Sequence, residues 1–178
     1  MTTPPSGFVE SLSRTARIHI KGPFYRVVPQ SAVLYGLEDG PSYRFNNRYN
    51  LAGQFGALYF ADREEVCKAI LEKRGHLASR MLPHSLLTFD VDVNQILDLT
   101  DLKSLSALKI HVEDLLKQAD MPDAYDIPHQ LSTAVYNEGR VCGLFVPDAT
   151  RTGNTLVLYP ARLLSKDYLR LKSTQMLN

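Results

Sequence analysis

The residues of this chain that can do chemistry concentrate in Arg48-Tyr-Asn50-Leu-Ala-Gly53-Gln-Phe-Gly56-Ala-Leu-Tyr59. An arginine beside glycines can hold a phosphate, the planar fork gripping two oxygens while free backbone N–H groups add to the cradle. Arginine suits this better than lysine because the fork matches phosphate geometry. Tyr59, on the strand that follows, can stack on a flat ring. The stretch suggests a pocket for a dinucleotide, although it matches neither Gly-x-Gly-x-x-Gly nor the P-loop pattern.

Outside that stretch the candidates are fewer. Arg26 sits in the apolar run Phe24-Tyr-Arg-Val-Val28, where a charge must face solvent, pair with an acid or line a pocket. Arg44 and Arg48 flank an Asn-Asn pair, and a loop arginine is ordinarily a surface charge. Tyr59, between Leu58 and Phe60, reads from the pattern alone as a core aromatic, since strand aromatics are usually packing residues. Glu65 and Glu72 lie seven residues apart on one helix face. Glu65 belongs to a capping box, which leaves Glu72 as the chemical candidate; with Lys68 and Lys73 nearby it also reads as a solvated residue. The five histidines and two cysteines show no ligand spacing, so no metal is expected. No Gly-x-Ser-x-Gly elbow occurs.

These residues need a scaffold. A chain of 178 residues, 44% hydrophobic and 22% charged, is expected to form one domain with a substantial core. A formal charge of +1 without a basic stripe argues against direct nucleic-acid binding. Cys67 and Cys142 lie in apolar surroundings and read as buried thiols of a reducing compartment. No apolar run is long enough to span a membrane, and the N-terminus does not resemble a signal peptide, so a cytoplasmic location is expected.

Residues 1–7 read as a loose tail and Phe8 to Arg17 as a short helix. Phe24 to Val28 reads as a strand, and 36–56 as a long shaped loop. Ala57 to Ala61 is a predicted strand, after which Asp62-Arg-Glu-Glu65 opens a helix that Gly75 stops. Strands are predicted at Leu86 to Val91 and Ile96 to Leu99, with a turn or bulge at Asp92 to Asn94. Helices follow over 103–118 and Pro128 to Glu138, the second ended by Gly139. Gly143 to Val146 and Thr155 to Tyr159 complete the strands. The basic C-terminus (Lys166, Arg170, Lys172) reads as a tail or short helix. The order predicts an α+β domain over 24–164, with 1–23 as an N-terminal extension and 165–178 as the tail.

Four motifs in order resemble the RES-domain family, toxins of bacterial toxin–antitoxin pairs. They are Tyr25-Arg26, then Arg48-Tyr-Asn-Leu-Ala-Gly53 with Leu58-Tyr-Phe-Ala61. Leu97-Asp-Leu-Thr-Asp101 follows, and last Gly143-Leu-Phe-Val-Pro-Asp-Ala149 with Gly153-Asn-Thr-Leu-Val-Leu-Tyr-Pro160. The family is named for an arginine, a glutamate and a serine. Counted from Tyr59, its glutamate position falls on Ile70, while an Ala-x-x-Glu match at Ala69-Ile-Leu-Glu72 needs a two-residue shift. Its serine position is Asp148, with Thr150 and Ser132 as distant substitutes.

The resemblance implies an ADP-ribosyltransferase-like split β-sheet core with flanking helices, and NAD⁺ as the substrate. The implied reaction is loss of nicotinamide, by glycohydrolase, phosphorylase or ADP-ribosyl transfer chemistry. Arg26 and Arg48 would hold the pyrophosphate, with Asn50 and Gly53 completing the nucleotide site, and Tyr59 would stack. Glu72 would stabilise the oxocarbenium, and Asp148 would face the ribose. The implied partner is a helix-turn-helix (Xre-type) antitoxin that covers the site, with a protein target if the enzyme is a transferase. A homo-oligomer stays open, as does a non-catalytic module that keeps only the nucleotide pocket or a protein interface.

Overall fold

The computed structural model describes residues 8–75 and 83–177; the expected tail (1–7) and His76 lie outside them. Six helices and six strands alternate irregularly among the described residues: α1 (Phe8–Arg14), β1 (Arg17–Pro29), α2 (Gly40–Arg44), β2 (Leu58–Ala61), α3 (Glu64–Gly75), β3 (His84–Asp98), α4 (Leu102–Leu108), α5 (Val112–Leu116), α6 (Asp126–Glu138), β4 (Gly143–Pro147), β5 (Asn154–Leu158) and β6 (Tyr168–Leu177).

β1 runs antiparallel to β3 from Arg17 opposite Leu97 to Pro29 opposite His84. It therefore starts well before the expected Phe24, because pairing with β3 carries the polar residues Arg17 and His19 along with the apolar ones. β3 is likewise one strand rather than two. The bulge expected near Asp92 to Asn94 is absorbed without a break: Ile18 faces Ile96 and Ile20 faces Val93, with Gln95 at φ 57°.

The far edge of β3 is shared. Its first part, His84 to Asp92, pairs with β6, and Ile96 to Asp98 pairs in parallel with β4. β4 pairs with β5, β5 with β2, and β2 returns to β1 through one bridge, Tyr25 opposite Ala61. Five strands thus close on themselves with β6 as an outer edge. The lone β1–β2 bridge is where this closed sheet splays.

β6 corrects the expected C-terminal tail or short helix. The strand is exposed along nearly its whole length, so it carries no alternation of polar and apolar residues to betray it. A second correction concerns the helix predicted over 103–118. Lys109 adopts the left-handed conformation at φ 56° and ends α4, and His111 is extended before α5 begins. The apolar spacing survives the break, and Leu105, Leu108, Leu115 and Leu116 are all buried. The long loop 36–56 contains one short helix, α2, entered through Pro41.

The core has two main parts. Inside the closed strands pack Phe24, Val28, Leu58, Phe60, Leu87, Phe89 and Val91. On the outer face α1, α4, α5 and α6 bury Leu12, Leu105, Leu115, Leu131 and Val135 against Leu97, Leu144 and Val157. A smaller cluster seats α3, through Val66 and Cys67, on Ala61 and Leu86. Among the described residues no helix is long and apolar enough to cross a membrane.

Candidate functional site

The splay between β1 and β2 opens into a cavity of about 480 Å³. Its walls come from β1 (Tyr25, Arg26, Val27), the loop before β2 (Phe45, Asn47, Arg48, Tyr49), β2 (Tyr59, Phe60, Ala61), α3 (Cys67, Ile70), the start of α6 (Tyr125) and the β4–β5 hairpin (Asp148, Ala149, Thr155). The separate stretches singled out in the sequence converge there.

Arg26 points to the same side of β1 as Phe24 and Val28, with its guanidinium carbon 5.8 Å from the Phe60 ring centre. Its Nη1 is buried and has no hydrogen-bond partner. Burial pulls its pKa below the usual arginine value, and among the described residues no ion pair offsets that. A guanidinium held this way has a donor free to receive an anion.

Among the described residues, Asp148 is the one acid in the cavity wall. Oδ1 accepts from the Thr150 amide (2.8 Å) and hydroxyl (2.6 Å), and Oδ2 accepts from the Thr155 hydroxyl (2.8 Å). Those donors fix the carboxylate's orientation. Behind it, a Cβ on Gly153 would lie 2.6 Å from both Asp62 Oδ1 and Val66 Cγ2, so only glycine lets the hairpin approach α3. Asp62 is occupied there by the amide (2.9 Å) and side chain (2.8 Å) of Asn154, and does not close the expected capping box with Glu65.

Arg48 lines the cavity, but much of its fork is used on the protein. Nη1 donates to the carbonyls of Leu115 (3.2 Å) and Ala124 (3.4 Å), and Nη2 to that of Lys117 (2.6 Å). Its carbon also sits 5.1 Å from the Tyr125 ring centre. It therefore ties the end of α5 and the start of α6 to the pocket. Tyr59 presents its ring to the cavity while its hydroxyl donates to Asn50 Oδ1 (2.8 Å) and accepts from the Tyr49 amide (3.0 Å). Burial pushes the Tyr59 hydroxyl well above its ordinary pKa, so it stays a neutral donor.

Three expected site residues stand elsewhere. Asn50 is fully buried, its side-chain amide donating to Ser42 O (2.6 Å) and Phe45 O (2.9 Å); it shapes the loop and is not among the residues that line the cavity. Gly53, at φ 72°, makes an exposed turn whose N–H donates to Tyr43 O (2.9 Å), so no free amide remains for a phosphate. Glu72 is exposed and outside the cavity. Ile70 lines it, and two residues further along an α-helix is a turn of about 200°, which carries Glu72 away.

Sequence reasoning passed over Phe45 and Tyr125, and it read Cys67 as a buried thiol without placing it at the cavity. An aromatic residue inside a polar loop was the available signal for Phe45 and Tyr125. Burial pushes the Cys67 thiol up to about 12, and the charges of Asp148 and Glu64 add to the effect. Cys67 is therefore no nucleophile at neutral pH. No group of three or more His, Cys, Asp or Glu among the described residues is placed to hold a metal ion.

The sequence model of the RES domain matches residues 19–172. A chain in the crystal structure of the M. tuberculosis MbcT-MbcA toxin-antitoxin complex aligns with a TM-score of 0.81 at 23% identity, over 98% of this chain and 94% of that one. At that identity the likeness is one of fold. No curated protein matches the sequence.

Proposed function

This chain belongs to the RES-domain family, and on that premise we propose that it is the NAD⁺-consuming toxin of a toxin–antitoxin pair. The observation that carries the reading is Arg26: a guanidinium with a buried, unpartnered Nη1 in a cavity that an oriented carboxylate also lines. A dinucleotide is complementary to both, since its pyrophosphate is an anion and its nicotinamide riboside end is a cation.

In this reading Arg26 grips the pyrophosphate, with the cationic Arg48 nearby. Asp148 faces the nicotinamide ribose. As the C–N bond breaks, its electron pair leaves with nicotinamide and positive charge passes to the ribosyl carbon. A fixed carboxylate stabilises that transition state more than the substrate. Water, phosphate or a protein nucleophile then takes the ribosyl carbon. Tyr59, pinned through its hydroxyl, offers a ring face that shields the reacting centre. The work expected of Glu72 passes to Asp148.

The proposed partner is a helix-turn-helix antitoxin of Xre type. Leu34, Tyr35, Leu37, Tyr43 and Phe45 are large apolar side chains exposed along the segment leading into the cavity, which suits a protein cover.

One observation favours a second reading. Ile70 lines the cavity where the family's glutamate is counted, which fits a nucleotide-binding module without turnover. Purified protein incubated with NAD⁺, with and without phosphate, separates the two. Release of free nicotinamide that is lost in Arg26→Ala and Asp148→Ala supports the enzyme, and phosphate dependence identifies phosphorolysis. Binding of NAD⁺ without release supports the module, and neither binding nor release refutes both.

A further inference from the structure

Two aromatic residues of the cavity have no part in the chemistry above. Phe45 is 67% exposed although it lines the cavity, a large apolar ring left in water. Tyr125 lines the same cavity and is held from behind. The Arg48 guanidinium carbon lies 5.1 Å from its ring centre, and the His129 ring meets it edge-on at 5.5 Å. The segments that carry the two rings are joined directly, because His129 Nε2 bonds to Asn47 O at 2.8 Å and Arg48 bonds to Leu115, Lys117 and Ala124. Tyr125 is thus a preorganised platform, and Phe45 stands on the neighbouring loop with free surface.

Resting on the NAD⁺ reading above, we propose that Phe45 and Tyr125 form the subsite for the dinucleotide's neutral base, adenine, and so set which way round it binds. Both ends of a dinucleotide carry a flat ring that can stack on an aromatic. Charge separates them. The pyridinium is cationic, and a guanidinium already lies against Tyr125, so a second cation on that ring meets like-charge repulsion. Adenine is neutral and meets none. On the β4–β5 hairpin the order reverses: Asp148 supplies the negative charge that a pyridinium riboside attracts. The wall with Phe45 and Tyr125 takes the adenosine half and the wall with Asp148 takes the half that reacts.

The test is a titration of wild type, Phe45→Ala, Tyr125→Ala and Tyr125→Phe with ADP-ribose and separately with nicotinamide mononucleotide, beside nicotinamide release from NAD⁺ by the wild type. Loss of one base–aromatic stack is expected to weaken ADP-ribose about tenfold. The expected result is that loss in each alanine variant, at least several-fold larger than any loss for the mononucleotide, with affinity regained in Tyr125→Phe. Phe45 is exposed, so its alanine variant reports without a folding penalty. Unchanged ADP-ribose affinity, or equal losses for the two ligands, overturns the subsite while wild-type nicotinamide release leaves the functional reading standing. Wild type that neither binds ADP-ribose nor releases nicotinamide overturns the functional reading itself.

Discussion

Replacing Arg26 by methionine separates the value of this side chain to the fold from its value to a ligand. Methionine keeps the apolar stem between Phe24 and Val28 and deletes the head group. The deleted Nη1 is a buried donor without a partner, a situation that costs about 1–3 kcal/mol. Against that, the variant loses the guanidinium contact over Phe60, which contributes about 0.5–1 kcal/mol. The unliganded variant is therefore expected to be more stable by about 1 kcal/mol, a rise in Tm of about 2–4 °C for a domain of this size. Its turnover of NAD⁺ at low substrate should fall about 10²–10³-fold, the common cost of removing one group that stabilises substrate charge. Thermal denaturation without nucleotide gives the first quantity, and nicotinamide release the second. A variant that melts several degrees lower yet keeps its activity would show that Arg26 serves the fold, and the argument from its unpaired state would collapse.

Asp148→Asn keeps an Oδ1 acceptor for the two Thr150 donors, and its Nδ2 can donate to the Thr155 hydroxyl where the acid accepted from it, but the charge is lost, so nicotinamide release should fall about 10²–10³-fold with little change in Tm. Glu72→Ala should cost far less, and equal losses in the two variants would return Glu72 to the site. Arg48→Ala removes three charge-assisted bonds to carbonyls and should destabilise by about 3 kcal/mol, with Arg48→Lys giving little rescue because a point charge cannot span three carbonyls. A thermal melt of either variant matching wild type refutes that tie. The alkaline limb of stability is shaped by Cys67, Cys142, Tyr49, Tyr59 and Tyr159, all raised by burial. Above about pH 8.5 the cysteines, and above about pH 10 the tyrosines, ionise in the unfolded chain while the folded chain holds their protons. Stability should therefore be flat from pH 7 to about 8 and decline beyond, by up to about 1.4 kcal/mol per pH unit for each group. Denaturant titrations with midpoints that stay level to pH 11 would contradict the burial of these groups.

Local residue chemistry made much of the fold legible. β2, α6, β4 and β5 fall close to where the apolar runs and the glycine and proline stops put them. What escaped were features decided across space. β6 has no period of its own and is a strand because β3 offers it an edge. α4 and α5 share one apolar spacing, and only the backbone at Lys109 divides them. The site divides in the same way. Arg26, Arg48 and Tyr59, singled out by their types, and Asp148, singled out only by the family resemblance, line one cavity. Asn50 and Gly53 belong to the same stretch, yet hydrogen-bond demands of the loop backbone claim them. Glu72 is a matter of helical phase, and sequence proximity does not reveal which face a short helix turns to its sheet.

The closing of the strands has a consequence in time. Arg26 is made early, but Asp148, on the β4–β5 hairpin, follows 122 positions later, and β2 finds its long partner only in β5. At a synthesis rate of about 5–20 residues per second that interval is roughly 6–24 s. No N-terminal piece that ends before Asp148 contains both the guanidinium and the carboxylate, so the cavity proposed above as the reactive site is completed only late in translation. On that proposed reading, an inhibitor encoded with the chain needs to be ready by then, not before.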